Sequence, residues 1–136
     1  VIANGNKEDV IKKIIAGEEI GTKFVPGKAK GARKTWIAFG TACCGKIVVD
    51  DGAVNALIQK NKSLLPSGIV SVEGIFQQGD TASILDKDGS EIARGRVAYS
   101  SDDINKIKGK KSEEAKQILN SATFTEVIHR DNLVIL

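Results

Sequence analysis

The sequence contains no methionine, and it begins at Val1 without an initiator residue. We therefore expect the chain to start within a longer protein. No apolar run approaches the length of about 20 residues that a helix needs to span a bilayer, so we expect no membrane partner. Residues 1–9 also lack the basic segment followed by an apolar one that marks a secretory leader.

Cysteine and histidine are scarce. The two cysteines, Cys43 and Cys44, are adjacent, and His129 is the single histidine. Because neighbouring side chains of an extended chain point to opposite sides, these two thiols do not form an easy disulfide. Two cysteines and one distant histidine do not supply the ligand set of a structural zinc site either. We predict free thiols in a reducing cytosol, and therefore a cytoplasmic protein.

The first part of the chain is predicted to be one helix and one strand. Apolar side chains at helical spacing predict a helix over residues 6–15, and a strand follows over residues 20–25. Such a unit cannot bury both of its faces alone, so we expect residues 1–26 to be the remnant of a larger domain. We expect its apolar helix face to be exposed, disordered or covered by a neighbouring copy. That face consists of Val10, Ile11, Ile14 and Ile15.

Residues 27–34 are rich in Gly and Lys and contain no acid, which is typical of a linker. After it, about six short strands and three short helices predict a mixed α+β, β-barrel-like domain over residues 35–136. Gly89 provides a residue tolerant of positive φ in a predicted hairpin turn. The predicted strands are 36–39, 46–49, 69–76, 81–85, 91–99 and 133–136; the predicted helices are 53–59, 102–108 and 113–119, capped by Asp50 or Asp51, by Ser100 and by Ser112.

Two stretches imitate catalytic motifs without completing them. Gly40 to Lys46 matches a phosphate-binding loop, but Ile47 stands where a Ser or Thr should hold magnesium. The β-branched residues that follow favour a strand, so we predict a hairpin loop that includes both cysteines. His129-Arg130-Asp131 opens like a protein-kinase catalytic loop, but Asn132 follows at once, whereas that loop needs its asparagine further along the chain. We predict that His129 hydrogen-bonds near a domain surface and is not a general base.

Basic residues are unevenly spread, although the formal net charge is only +3. A basic cluster between residues 27 and 49 meets no acid, and a second cluster lies within residues 106–111. Such clusters attract phosphate backbones, but a lysine-rich linker is usually only solvated, and aromatic residues for base stacking are few. A surface for RNA or for a partner is one interpretation of the first cluster. Its candidate residues are Lys28, Lys30, Arg33 and Lys34.

Seven short motifs are spaced along nearly the whole chain. They are Gly21-Thr22-Lys23-Phe24, Arg33-Lys34-Thr35-Trp36-Ile37, Asp50-Asp51-Gly52-Ala53, Ser63-Leu64-Leu65-Pro66-Ser67-Gly68-Ile69, Val72-Glu73-Gly74-Ile75-Phe76, Gly89-Ser90-Glu91-Ile92-Ala93-Arg94-Gly95 and Val127-Ile128-His129-Arg130-Asp131-Asn132-Leu133. Their combination resembles the C-terminal part of bacterial glutamate 5-kinases, mostly its PUA domain. The resemblance implies a PUA-like pseudo-β-barrel, preceded by a helix–strand remnant of an α/β kinase domain.

For the intact protein, the resemblance implies transfer of the γ-phosphoryl group of ATP to the side-chain carboxylate of L-glutamate, in proline biosynthesis. In this family ATP, Mg²⁺ and the catalytic groups belong to the upstream kinase domain. The resemblance therefore implies no catalytic, cofactor-binding or metal-binding residue in this chain. It implies that domain and further copies in a homo-oligomer as partners. We interpret the PUA part as an accessory or regulatory domain, with an RNA-binding module as the alternative.

Four further residues join the candidate surface for RNA or a partner. Gly52 and Ala53 leave a helix N-terminus bare enough for close approach. Arg94 and Arg96 lie two apart, so they share one face of their strand. Gly74 lies within a predicted strand, which indicates a bulge or a sharp bend. The roles of these residues are structural first.

Overall fold

The computed structural model describes residues 1–25, 31–120 and 126–136. At the centre of this part of the chain lies a mixed sheet of five strands: β1 Cys43–Val49, β2 Ile69–Gly74, β3 Thr81–Leu85, β4 Glu91–Arg96 and β5 Leu133–Ile135. The order across the sheet is β2-β1-β3-β4-β5. β1 and β3 run parallel, and the other neighbouring strands run antiparallel.

Short helices surround the sheet: α1 Val10–Ile15, α2 Ala32–Thr35, α3 Asp51–Ile58, α4 Ser101–Ile107 and α5 Ser112–Ile118. A π-helical turn, Trp36–Gly40, continues α2 directly, and two 3₁₀ turns occupy Pro66–Gly68 and Arg130–Asn132. Within the described ranges, no helix has both the length and the apolar character that a membrane crossing requires.

The main apolar core lies between the sheet and helices α3 to α5. Ile47 of β1 and Ile84 of β3 are fully buried in it, and Ile104 and Ile107 of α4 pack against them in the same cluster. Inward residues alternate with outward ones along the strands, as the pleat requires. Burying one such side chain is worth about 1.5–3 kcal/mol, so this core joins the helices firmly to the sheet.

A second, smaller apolar cluster lies on the opposite face of the sheet. Ile37 and Ala38 of the π-helical turn are fully buried there together with Val134 of β5. Val134 is the register partner of Arg94, whereas the adjacent Ala93 belongs to the main core. The two clusters therefore hold opposite faces of β4 and β5.

Local signals at helix ends and turns are confirmed. Asp50 caps α3, because its Oδ1 accepts a hydrogen bond from the N–H of Ala53 at 2.7 Å. Ser100 caps α4 by accepting one from the N–H of Asp103 at 3.2 Å. Gly89 adopts a φ of 85° in the turn between β3 and β4. Each of these contacts joins residues close in sequence, so the local pattern suffices to predict it.

The mixed α+β class is confirmed, but the strand predicted over residues 36–39 is wrong, and in the described part of the chain the sheet has five strands instead of about six. That stretch is the π-helical turn. Its sequence is compatible with a strand, but tertiary packing overrides this weak preference. The turn brings Ile37 and Ala38 together on its sheet-facing side, where both become fully buried.

The N-terminal segment is less regular than its pattern predicts. α1 begins at Val10 and not at residue 6, because Asp9 adopts a left-handed conformation and its side chain does not cap the helix. The strand predicted over residues 20–25 is wrong. Thr22 forms an isolated antiparallel bridge with Ile2, and one bridge does not make a ladder.

The apolar face predicted on α1 is partly exposed, as expected. Ile11 and Ile15 are exposed, and Val10 and Ile14 are half-buried. α1 has no buried residue at all. The helix therefore contributes little to the fold described above.

The hairpin loop predicted around the two cysteines is wrong, because β1 begins at Cys43. A register shift against β3 between Cys43 and Gly45 accommodates the extra residue. Both thiols lie in the described part of the chain and are free and exposed. Parallel pairing with β3 explains the error, since it comes from a strand distant in sequence.

Two predicted strand ends and one cap need correction. β2 ends at Gly74 and not at residue 76, because Gly74 takes a φ of 88°, which bends the chain as predicted. β4 ends at Arg96 and not at residue 99. α5 begins at Ser112 itself, so Ser112 is not its cap; Lys111 precedes it without a capping side-chain hydrogen bond.

Gly45 tests the packing around β1. A Cβ at this position would lie 2.5 Å from Cδ1 of Phe76 and 2.6 Å from the carbonyl oxygen of Glu73. Gly45→Ala should therefore lower the free energy of unfolding by about 1–3 kcal/mol, measured by urea denaturation. Gly5→Ala is the control, because a Cβ there meets nothing within 4 Å. Equal stability of the two variants would contradict this packing.

Candidate functional site

A groove of about 710 Å³ opens beside the N-terminus of α3. Concave surfaces with apolar walls and a few convergent polar groups are typical of binding sites. The apolar wall comes mainly from α3 and from Leu64 and Leu65. The polar lining residues come from three segments that are distant in sequence, and they are Asp50, Lys62, Ser63, Ser67, Glu126, His129 and Arg130.

Small residues shape one side of this groove. Gly52 and Ala53 form the first turn of α3, and Gly68 of the 3₁₀ turn lies against them. A Cβ on Gly68 would come 2.5 Å from the Cβ of Ala53, and the N–H of Asp50 donates to the Gly68 carbonyl at 2.9 Å. The close approach predicted at these residues is therefore made by the chain's own turn, whose edge lines the groove.

A short backbone bridge builds the opposite side. The N–H of Leu64 donates to the Ile128 carbonyl at 2.8 Å, and the N–H of Val127 donates to the Leu64 carbonyl at 2.9 Å. The N–H of Arg130 donates to Oγ of Ser63 at 3.0 Å. These bonds place the segment before β5 beside the segment after α3, so that its side chains reach the groove.

His129 is engaged with its own chain, as predicted. Its Nδ1 accepts a hydrogen bond from the N–H of Asp131 at 3.2 Å and lies 3.5 Å from Oδ2 of the same residue. The imidazole therefore caps the 3₁₀ turn before β5, and Oγ of Ser63 in the same groove accepts a hydrogen bond from the backbone N–H of Arg130.

A smaller depression of about 410 Å³ adjoins the groove and shares Glu126 and His129 with it. Arg96 and Asn132 also line it. Among the described atoms, Oδ1 of Asn132 is buried without a hydrogen-bond partner. A buried, unpaired acceptor carries an energetic cost in the fold.

Arg94 is engaged inside the chain. Its Nε and Nη2 donate to the Glu91 carboxylate at 2.8 and 3.2 Å, and its Nη1 donates to the Ala38 carbonyl at 2.8 Å. The hydrogen bond from Arg94 holds the pKa of Glu91 below its ordinary value, and the same bond raises the pKa of Arg94. Arg94 thereby fastens the π-helical turn to β4.

Arg96 is the second arginine on that face, as the spacing predicts. Its Nε donates to the Gly79 carbonyl at 2.9 Å, and its guanidinium lies 5.7 Å from the centre of the Trp36 ring. These contacts favour the structural interpretation of both arginines. Their place on a surface for RNA or a partner stays a prediction.

The first basic cluster is described only in part. Lys28 and Lys30 lie outside the described residues, and so does the first half of the linker predicted over residues 27–34. Arg33 and Lys34 lie in α2, where Lys34 is half-buried. Of the described part of this cluster, neither Arg33 nor Lys34 is among the residues that line the groove with Gly52 and Ala53.

The sequence patterns missed two cations of the groove, Lys62 and Arg130. Lys62 stands in a stretch without a motif, and Arg130 lies in two of the quoted motifs, neither of which predicts a surface cation. The bridge between Leu64 and Ile128 brings both to one site, and no local signal predicts that bridge. Within the described ranges, no group of three or more His, Cys, Asp or Glu side chains could hold a metal ion.

Glu91→Gln should lower the free energy of unfolding at pH 7 by about 0.2–1 kcal/mol, the range for solvent-screened ion pairs. Because the folded-state pKa of Glu91 is lowered, the pair stabilises the fold above the unfolded-state pKa of about 4.3. That stabilisation is lost as the pH falls through the folded-state pKa. Denaturant titrations of both proteins between pH 7 and pH 3 should converge at the acidic end. A difference that stays constant with pH would contradict this account.

Comparison with known proteins shows which family the domain that carries the groove resembles. Residues 45–119 match the family model described as the PUA domain, which is more than half of the chain. A crystal structure of a PUA domain from Aeropyrum pernix K1 is similar, with a TM-score of 0.49 and 25% identity over 70% of this chain and 46% of that chain. A PUA domain protein from Thermoplasma acidophilum gives a TM-score of 0.39 at 20% identity, over 67% and 46% of the two chains.

Proteins named glutamate 5-kinase align with the whole chain. The relative from Caldanaerobacter subterraneus subsp. tengcongensis is 51% identical over 137 residues, and the one from Geobacter sulfurreducens is 47% identical over 137 residues. Each alignment covers 100% of this chain and 37% of the relative. The chain is therefore similar to a C-terminal part of these kinases and spans well under half of their length.

Proposed function

We propose, from the premise that this chain belongs to the PUA-domain family, that it is the accessory PUA domain of a glutamate 5-kinase. The observation that carries this proposal is the 51% identity of the whole chain to part of a protein of that name. The intact protein would be a cytoplasmic enzyme that transfers the γ-phosphoryl group of ATP to the side-chain carboxylate of L-glutamate, in proline biosynthesis.

We place the catalytic groups in the part of the parent protein that this chain does not cover. Phosphoryl transfer needs Mg²⁺ and cations on the phosphates of ATP. The groove offers Lys62 and Arg130 as cations for the phosphates. Of the two acids that could hold Mg²⁺, however, Asp50 already caps α3, which leaves Glu126 alone. We therefore assign ATP and Mg²⁺ to an upstream kinase domain, and no catalytic residue to this chain.

We further propose that residues 1–26 end that kinase domain, that residues 27–34 are a linker, and that residues 35–136 form the PUA domain. The uncovered apolar side chains of the first segment support this division, since Phe24 and Val25 are exposed as well as the face of α1. Exposed apolar groups of this kind mark a contact surface. Through contacts between domains and between copies in a homo-oligomer, the PUA domain would regulate the kinase.

A comparison of three proteins tests where catalysis takes place. With ATP, Mg²⁺ and glutamate, the full-length parent protein should release ADP and form a γ-glutamyl phosphate that hydroxylamine traps as the hydroxamate. The 136-residue chain should show no turnover, because it lacks the kinase domain. A parent protein that ends at Val25 should keep measurable turnover if it folds, since it retains that domain. Turnover by the 136-residue chain alone would sink the proposal.

RNA binding is the second candidate function, and the groove is the observation that favours it. Lys62 and Arg130 line it together with Gly52 and Ala53 of the first turn of α3, and lysine and arginine side chains contact the phosphates of nucleic acids. The predicted cluster that includes Lys28, Lys30 and Arg33 would extend this cationic surface along the linker.

Salt dependence tests this alternative. If Lys28, Lys30, Arg33 and Lys34 neutralise phosphates, the affinity for structured RNA should fall with a log–log salt slope of about −3 to −4. Arg130→Ala should weaken binding if the groove takes part. The control is Lys12→Ala, because Lys12 is paired with Asp9 at 2.9 Å on α1. Micromolar chain that shifts no tRNA at low salt would exclude RNA binding.

A further inference from the structure

The π-helical turn Trp36–Gly40 presents two large aromatic side chains to solvent. Phe39 is 76% exposed and Trp36 is 50% exposed. A phenylalanine side chain left in water forgoes the favourable free energy of burial. We call Trp36 and Phe39 together the aromatic edge.

The turn that carries the aromatic edge is held rigidly on the sheet. Its other side, Ile37 and Ala38, is fully buried against Val134. Arg94 Nη1 donates to the Ala38 carbonyl at 2.8 Å, and Oγ1 of Thr41 donates to the Ile37 carbonyl at 3.3 Å. The exposed aromatics therefore do not belong to a loose loop that could fold them inward.

Trp36 is itself fixed in its half-exposed position. The guanidinium of Arg96 lies over one face of its ring at 5.7 Å from the ring centre. Gly40 lies at its edge, where a Cβ would come 2.7 Å from Cδ1 of Trp36, so a larger residue would displace the indole. A rigid, partly exposed tryptophan is typical of residues that dominate the binding energy of an interface.

We propose that the aromatic edge docks onto the upstream kinase domain to which residues 1–25 belong, an inference that rests on the function proposed above. The chain spans 37% of the length of the relatives, so a large body remains to cover this surface. The aromatic edge is then the contact through which the PUA domain is oriented on the kinase domain.

The length of the connection supports this occupant. Six peptide steps separate Val25 from Gly31, and they span at most about 21 Å at about 3.5 Å per residue. The domain that contains residues 1–25 is therefore held close to α2, which continues without a break into the π-helical turn. The exposed apolar side chains before the connection, Phe24 and Val25, and those after it, Trp36 and Phe39, then lie near the same interface.

The two arginines of β4 beside the aromatic edge are engaged inside the chain, which argues against nucleic acid as its occupant, although Arg33 and Lys34 lie in α2, which directly precedes the turn. Arg94 is bonded to the carboxylate of Glu91 through Nε and Nη2, which neutralises it. Arg96 is bonded to the Gly79 carbonyl and stacked on Trp36. Single-strand binding combines stacking with a cationic groove that follows the backbone, whereas this surface is mainly apolar.

Hydrogen exchange, compared between the full-length parent protein and the 136-residue chain, tests the docking. The amides of residues 35–40 should exchange at least about tenfold more slowly in the full-length protein, because docking adds to the stability of this turn. The amides of α5 should exchange at the same rate in both. Equal exchange of residues 35–40 in the two proteins would overturn the proposal.

Phe39→Ser in the full-length protein should abolish this extra protection while the core of β1 stays protected, because Phe39 contributes little to the fold itself. The matched control is Ile118→Ser, since Ile118 is 44% exposed and lies on α5 at the other face of the sheet. Unchanged protection after Phe39→Ser would overturn the proposal. Kinase turnover is measured on the same full-length protein. Absence of turnover would contradict the proposed function, whereas the exchange data would still report whether the aromatic edge is covered.

Two other occupants give distinct results, and each would overturn the proposal. Concentration-dependent association of the 136-residue chain that Phe39→Ser abolishes would show that a second copy covers the aromatic edge. Protection of residues 35–40 by added tRNA, absent in Phe39→Ser and retained in Ile118→Ser, would show that RNA covers it.

Discussion

The pairing of β1 on both of its sides is the constraint on which the rest of the structure depends. β1 runs antiparallel to β2 and parallel to β3, and Gly45 allows Phe76 and the backbone of Glu73 to close on it. Its seven residues extend over about 23 Å. The groove and the aromatic edge each lie next to one end of this strand.

At the C-terminal end of β1, Asp50 follows the last strand residue, caps α3 and lines the groove. At its N-terminal end, the π-helical turn Trp36–Gly40 presents the aromatic edge. A domain with its two contact surfaces at opposite ends of one strand that is paired on both sides can hold a partner domain at one end and remain open at the other. This arrangement suits an accessory domain, because neither surface must give way for the other to be used.

Several features of this fold could be predicted because they depend on neighbours in sequence. The caps Asp50 and Ser100, the turn at Gly89 and the strand at Ile47 to Val49 satisfy backbone groups or the pleat locally. The π-helical turn and the start of β1 at Cys43 were missed, since both depend on contacts with β5 and β3 that no local pattern announces. The groove was missed in part for the same reason, because the bridge of Leu64 to Ile128 joins distant segments.

The sequence by itself determined the family, the α+β class and the helix ends, because motifs and capping residues depend only on residues that are close in sequence. Only the tertiary structure decided which surfaces are available. It committed Arg94 and Arg96 to internal bonds, brought Lys62 and Arg130 to one groove, and turned Phe39 outward while Ile37 and Ala38 turned inward. Exposure and partnership are properties of packing between distant segments, and a local pattern contains no information about which segments will meet.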